Sequence, residues 1–88
     1  MRETDVVPPS DHRLTLLGKP GCHLCDEARA VLSRVAAELG VPWDERDVTT
    51  DDALYEEYGD RVPVVLLDDR EHGYWTVDEV RLRRDLAR

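Results

Sequence analysis

The chain has 88 residues, with 20 acidic and 12 basic side chains, and its formal net charge of −8 argues against two classes of partner. Nucleic acid and anionic membrane surfaces would repel so acidic a protein. No segment has the apolar length of a transmembrane helix, and residues 1–11 lack the apolar stretch of a secretory signal. We therefore expect a soluble, cytoplasmic protein with one small domain.

The N-terminal residues and the first apolar run set the beginning of that domain. Residues 1–12 contain Pro8-Pro9 among mixed polar side chains, which predicts a flexible N-terminal tail. The folded domain is predicted to span residues 13–88. Its first element is the apolar run 13–17, which predicts a strand. The strand is expected to end at the turn residues that follow the run: Gly18, Pro20 and Gly21.

A helix that begins at a cysteine pair is predicted next. Apolar residues recur at helical spacing from Leu24 to Leu39, and Gly40 ends the pattern. The chain's only two cysteines, Cys22 and Cys25, lie at the beginning of this helix. Unpaired N–H groups and the helix dipole lower the pKa of a thiol in that position. Cys22 is therefore predicted to be the nucleophile, and Cys25 the thiol that resolves a mixed disulfide.

Two other interpretations of the cysteine pair stay open. Cysteines at this spacing also bind zinc or share an iron–sulfur cluster, which here could form across a dimer. A zinc site would need further ligands, but there is no second cysteine pair, and the histidines show no recognisable ligand spacing: His12, His23 and His72. The pair could also belong to a redox-responsive interaction module, in which the disulfide changes partner binding without turnover.

The middle of the chain predicts a strand, a helix and a second strand. Residues 43–48 are a weak strand candidate, because their charges obscure any alternation. A helix is predicted to begin at Thr49 or Thr50 and to stop at Gly59. The continuous apolar run 63–67 is typical of a central buried strand with proline at its first position.

The last part of the chain predicts a hairpin and a helix. Asp68-Asp69-Arg70 is a turn signal, so residues 63–67 and 71–75 are predicted to pair as antiparallel strands. Thr76 and Glu79 fit a capping box, and Trp75 and Val80 fit a hydrophobic staple. Trp75 is accordingly interpreted as a core residue, although with Tyr74 it could instead form an aromatic wall over a substrate groove. The apolar side of the helix is predicted to hold Val80, Leu82 and Leu86.

This β-α-β-α-β-β-α order, with a cysteine pair at the first strand-to-helix junction, resembles the thioredoxin-like superfamily and more closely its glutaredoxin branch. Lys19-Pro20-Gly21-Cys22-His23-Leu24-Cys25 is similar to the glutaredoxin pattern with a lysine three residues before the first cysteine. Arg61-Val62-Pro63 is similar to the segment that ends in the family's cis-proline. The resemblance spans residues 13–88 and implies an α/β thioredoxin-like fold, with a mixed four-stranded sheet in the order 2-1-3-4 flanked by helices.

The resemblance also implies a glutaredoxin-like dithiol–disulfide oxidoreductase that reduces protein or small-molecule disulfides. Val62 and a cis Pro63 would orient an extended substrate near Cys22. Lys19 matches a residue that binds a glutathione carboxylate, and His23 would either stabilise the thiolate or be an ordinary exposed residue. No tightly bound cofactor is implied. Glutathione or another low-molecular-weight thiol, or a reductase, would supply electrons to a protein that we expect to be a monomer.

The chain departs from the glutaredoxin pattern at two places. His23 and Leu24 stand where dithiol glutaredoxins commonly have proline and an aromatic residue. The family's Gly-Gly pair followed by an acidic residue, which holds the glutamyl end of glutathione, has no clear match in residues 72–78, although Asp78 could lie at a helix start near that location. The resemblance therefore implies the dithiol chemistry and leaves the electron donor open between glutathione, another thiol and a reductase.

Overall fold

The computed structural model describes residues 8–87, which fold into four strands and three α-helices in the predicted order. Most of the segment predicted to be a flexible tail lies outside the described residues, and within them Pro9–Asp11 form a short 3-10 turn. No helix in the described range is both long and apolar enough to cross a membrane. The elements are β1 (Leu14–Gly18), α1 (His23–Leu39), β2 (Trp43–Asp47), α2 (Asp52–Tyr58), β3 (Val64–Leu67), β4 (Arg70–Tyr74) and α3 (Glu79–Leu86).

The four strands form one mixed sheet in the order β2-β1-β3-β4, as predicted. β1 is parallel to β2 and antiparallel to β3, which is antiparallel to β4. Leu17 is paired with Val64, and Val64 with Tyr74, so these three residues form one row across the sheet. The end of β1, the beginning of β3 and the end of β4 therefore meet at the same end of the sheet. We call this the Gly18 end.

The sheet is covered by helices on both faces, which explains why β1 is buried along its whole length. On one face, Leu14 and Leu16 pack with side chains of α1 and α3, and we call this group the first core cluster. On the other face, Leu17 packs with Val48 in a second core cluster, against which the partly buried Leu54 of α2 also packs. Burying one such leucine contributes roughly 1.5–3 kcal/mol, so these few side chains supply much of the stability of a small domain.

An ion network joins α1 to α3 at the surface of the first core cluster. Both terminal guanidinium nitrogens of Arg34 donate to the Glu79 carboxylate, at 2.7 and 3.0 Å, and Arg83 donates to both Glu79 and Glu38. These hydrogen bonds, that of Arg34 first, lower the pKa of Glu79 to about 2. The two helices that cover this face are therefore connected by charge as well as by packing.

The β3–β4 hairpin forms as predicted, with β4 shifted by one residue. Asp68 and Asp69 have φ values of 54° and 69°, the paired positive values of a type I′ two-residue hairpin turn. The β3–β4 register shifts between Val65 and Leu66, leaving His72 without a paired residue. The His72 side chain lies 2.7 Å from the Asp85 carboxylate, so this irregularity connects β4 to α3.

The predicted start of α2 at Thr49 or Thr50 is wrong. Val48–Thr50 form a separate 3-10 turn. Its N-cap is Asp47, whose carboxylate accepts a hydrogen bond from the Thr49 N–H at 2.8 Å. The α-helix begins only at Asp52, after its N-cap Asp51, and gives way to Gly59 as predicted. Threonine and aspartate are comparable capping residues, so the sequence Thr-Thr-Asp-Asp offers several starts of similar quality.

The predicted capping box and staple of α3 are also wrong. The N-cap is Asp78, whose carboxylate accepts a hydrogen bond from the Arg81 N–H at 3.1 Å, so Glu79 is the first helical residue. With this start, Val77 and Leu82 occupy the staple positions; Leu82 belongs to the first core cluster, and the partly buried Val77 packs against it. Val80 is consequently turned to solvent and is 80% exposed, while Leu82 and Leu86 are buried as predicted.

This register of α3 predicts opposite outcomes for two neighbouring truncations. Leu82→Ala should lower the free energy of unfolding by about 2–5 kcal/mol, because it leaves a cavity in the core. Val80→Ala should change it by less than about 0.5 kcal/mol, since this side chain already contacts water. Urea denaturation of both variants measures the difference, and a large effect at Val80 would favour a staple between Trp75 and Val80 instead.

Candidate active site

Cys22 is the N-cap of α1, as its position before the helical pattern predicts. Its backbone is extended, with φ −99° and ψ 110°, and its Sγ accepts a hydrogen bond from the Cys25 N–H at 3.1 Å. Sulfur thereby satisfies one of the N–H groups that a helix start leaves unpaired. A thiolate at this position would be stabilised by the same donor and by the positive end of the helix dipole.

The two cysteines differ in their access to solvent. They form a disulfide, with their Cα atoms 5.1 Å apart. Cys25 is fully buried, whereas Cys22 is only partly buried and packs at the edge of the second core cluster. A reagent from solvent can therefore reach Cys22 but not Cys25.

Gly18, the last residue of β1, lies directly against Cys25. A Cβ atom at position 18 would be 3.2 Å from the Cys25 Sγ and 3.4 Å from its Cβ. The sequence marks Gly18 only as a turn residue, so this contact was not predicted. Its cause is the close approach of the first turn of α1 to the end of β1.

A charged cluster that was not predicted from the sequence borders this contact. Arg29 of α1 donates to both carboxylate oxygens of Glu45 on β2, at 2.8 and 2.6 Å, and to Asp26 at 2.7 Å. The bond to Glu45, followed by that to Asp26, raises the pKa of Arg29. A Glu45 oxygen lies 3.9 Å from the position that a Gly18 Cβ would take. The charged cluster therefore lies beside the contact between Gly18 and Cys25. The sequence contains a signal for only part of this cluster: Asp26 and Arg29 are three residues apart on one helix, a spacing that favours an ion pair.

Val62 and Pro63 lie at the Gly18 end of the sheet, next to the cysteines. The Val62–Pro63 peptide bond is cis, which confirms the conformation implied by the resemblance. Val62 shares the second core cluster with Cys25. Within residues 8–87, no hydrogen bond uses the Val62 backbone, whereas the Pro63 carbonyl accepts one from the Trp75 N–H at 2.8 Å.

The other two predicted binding residues are on the surface near Cys22. Lys19 is exposed and makes no ion pair with the rest of the described chain. The side chain of His23 is 86% exposed, and its Nε2 lies 3.1 Å from the carboxylate of Glu27, one turn along α1. The histidine is therefore directed along the helix surface.

The end of β4 and the loop that follows it place two aromatic rings on this surface. Trp75 is 53% exposed and Tyr74 is 47% exposed, so the interpretation of Trp75 as a core residue is wrong. Their rings meet edge to face, with centroids 5.0 Å apart. Asp78 begins α3 at the end of the same loop, where the resemblance allowed an acidic residue to lie.

The metal alternative finds no further ligands near the cysteines. In the part of the chain that the structure describes, no three histidine, cysteine, aspartate or glutamate side chains are grouped closely enough to hold a metal ion. A zinc or cluster site at Cys22 and Cys25 would require ligands from another molecule.

The contact of Gly18 with Cys25 predicts that position 18 tolerates no side chain. Gly18→Ala should lower the free energy of unfolding by about 1–3 kcal/mol, because the added methyl group meets a fully buried sulfur. Gly73→Ala is the matched control in the same sheet, because a Cβ atom added there would meet no atom within 4 Å. Urea denaturation of the two oxidised variants tests this, and equal stabilities would show that Cys25 can move aside.

Comparison with known proteins agrees with this architecture. The family model described as a Glutaredoxin-like domain (DUF836) matches residues 13–87. The uncharacterized protein Rv0508 of Mycobacterium tuberculosis is 46% identical, over 86% of this chain and 84% of that protein.

Solved structures with the same fold include proteins of two other bacteria. Protein Ne2328 from Nitrosomonas europaea matches with a TM-score of 0.76 and 27% identity, covering 86% of this chain and 92% of that one. Protein XcR50 from X. campestris matches with a TM-score of 0.67 and 38% identity, covering 83% and 93%. Thioredoxins and glutaredoxins also match in fold. The chain therefore belongs to the glutaredoxin-like domain (DUF836) family and has a thioredoxin-like fold.

Proposed function

We propose that this protein is a thiol–disulfide oxidoreductase that reduces disulfides through a mixed disulfide on Cys22. The observation that carries the proposal is the unequal placement of two bonded sulfurs on a glutaredoxin-like fold. Cys22 caps α1 and is partly exposed, whereas Cys25 is fully buried. A substrate can reach one sulfur, and the second sulfur is held within bonding distance of the first.

The first step is attack by the reduced protein. The Cys22 thiolate forms a bond with one sulfur of the substrate disulfide, whose own S–S bond breaks. The other substrate half leaves as a thiolate and takes a proton from solvent. The Cys25 N–H, which contacts the Cys22 Sγ, stabilises the negative charge before attack.

The second step releases the product and oxidises the protein. Cys25 loses its proton and attacks the Cys22 Sγ, the mixed disulfide breaks, and the remaining substrate half leaves as a thiolate that is then protonated. Two electrons have passed from the dithiol to the substrate. Glutathione or another low-molecular-weight thiol then restores the dithiol, two thiols becoming one disulfide, or a reductase supplies the same two electrons. These steps need no tightly bound cofactor.

The other predicted site residues position the substrate in this proposal. An extended substrate would pair with the free backbone groups of Val62 beside Pro63. Lys19 supplies a positive charge three residues before Cys22 for a substrate or donor carboxylate. His23, the residue directly after Cys22, contacts the substrate chain. Reduction requires a reducing compartment such as the cytoplasm, and the protein would act as a monomer without nucleic acid or membrane.

The unequal access of the two sulfurs predicts selective alkylation. In the reduced protein, brief iodoacetamide treatment should label Cys22 much faster than Cys25, and should do so at a pH where an ordinary thiol is protonated. Mass-spectrometric mapping of the labelled peptides measures both rates. Faster labelling of Cys25 would reverse the two assigned roles.

The resolving role of Cys25 predicts distinct defects for the two serine variants. Cys25→Ser should accumulate a mixed disulfide on Cys22, since no second thiol remains to displace it, and Cys22→Ser should not attack at all. Intact mass measurement detects the adduct, and turnover of a peptide disulfide with glutathione as donor gives the rate.

Comparison of these rates with the wild-type rate tests the proposed function itself. Wild-type protein should complete many turnovers. Full turnover by Cys25→Ser would remove Cys25 from the mechanism, and a wild-type protein that turns over with neither glutathione, another low-molecular-weight thiol nor a reductase would contradict an enzymatic role.

A further inference from the structure

A shallow groove beside the cysteine pair has a mostly apolar lining. It lies between the first turns of α1 and the β4–α3 loop, and its lining includes Leu24, Ala28, Val31, Trp75 and Val77. Leu24 stands between the two cysteines in the sequence and is 40% exposed. The groove encloses about 140 Å³, less than the roughly 300–1,000 Å³ of small-molecule sites. It has room for one side chain.

Trp75 occupies its position in this groove against its backbone preference. Its φ is +69°, in the left-handed region that a large L-residue rarely adopts and that glycine adopts freely. The Trp75 N–H bond to the Pro63 carbonyl and the Thr76 N–H bond to the Tyr74 carbonyl hold the loop in this shape. The ring is half exposed and so is not retained for core packing. Strain of this kind at a loop beside reactive groups points to a role in binding.

The charge of the groove limits what binds there. Among residues 8–87, the groove lining contains one charged side chain, the carboxylate of Glu27, and no cation. Glu27 is 59% exposed, and its ion pair within residues 8–87 is with the exposed His23. A small anionic thiol would therefore find repulsion here, whereas a basic side chain would find a partner, in keeping with the net charge of −8.

We propose that this groove selects polypeptide disulfides that carry an apolar side chain and a basic side chain next to the reacting cysteine. This inference deepens the proposed oxidoreductase function and rests on it. The apolar side chain enters between Leu24 and Trp75, the basic one meets Glu27, and the substrate sulfur is thereby brought to Cys22. Exposed aromatic rings that lose water on binding are the side chains that most often dominate such contacts.

Three disulfide-bridged peptides that differ at one position test the proposal. The reference peptide has leucine and lysine beside its cysteine, the second has serine for the leucine, and the third has aspartate for the lysine. For the wild-type protein, each replacement should lower kcat/KM about tenfold. In Trp75→Gly the difference between leucine and serine should disappear, and in Glu27→Gln the difference between lysine and aspartate should disappear.

Two matched variants separate binding from folding. Trp75→Phe keeps a ring and should keep the leucine preference, and Tyr55→Ser removes an equally exposed aromatic side chain on α2, outside the groove, and should behave as wild type. Trp75→Gly should melt at the same or a higher temperature, because glycine adopts this φ without strain. A lower melting temperature for Trp75→Gly, or loss of preference in Trp75→Phe, would overturn the inference.

The failure of this inference differs from the failure of the proposed function. Equal kcat/KM values for the three wild-type peptides would overturn the selectivity while leaving the oxidoreductase function in place. A wild-type protein that reduces neither the peptides nor 2-hydroxyethyl disulfide would contradict the oxidoreductase function itself.

Discussion

A single hydrogen bond, from the Cys25 N–H to the Cys22 Sγ, connects the fold of this protein to its chemistry. The start of any helix leaves N–H groups without partners, and here a sulfur atom takes the place of the usual side-chain oxygen. The cap therefore does two things at once: it ends the loop after β1, and it holds the sulfur that we propose as the nucleophile at the positive end of a 17-residue helix. The dipole effect acts only within the first turn, so one residue of shift would weaken it.

The strand directions bring the other parts of the site to that cap. β3 runs antiparallel to both of its neighbours, so the end of β1, the beginning of β3 and the end of β4 share the Gly18 end. Three segments far apart in sequence thus become neighbours: the cysteine turn, Val62–Pro63, and the loop with Trp75. The hydrogen bond from Trp75 to Pro63 fixes the second of these segments to the third.

Much of this arrangement could be predicted from the sequence, because its signals are local or recur in a known family. Apolar runs located β1 and β3, helical spacing located α1, and the resemblance supplied the sheet order and the cis peptide. The start of α3 could not be found in this way. Thr76 and Asp78 are both acceptable N-caps, and the structure uses Asp78, in a loop whose Trp75 N–H is bonded to Pro63 at the beginning of β3.

The contacts around Cys25 were missed for a related reason. A glycine after an apolar run predicts a turn, and nothing local shows that a sulfur atom of the next helix lies 3.2 Å from where its side chain would begin. The interaction of Arg29 with Glu45 likewise joins a helix to an edge strand, across 16 positions of sequence. Such residues become visible only when the packing of α1 on the sheet is known.

The burial of Cys25 beside a partly exposed Cys22 also bears on damage by peroxide. Peroxide from solvent would reach Cys22 before Cys25 and would convert its thiolate to a sulfenic acid. The Cys25 thiol could then condense with that group, with loss of water, to give the disulfide found here. Further oxidation to the sulfinic acid would require a second peroxide at a sulfur that is already bonded. Oxidation would therefore stop at a disulfide, which ordinary thiols can reduce.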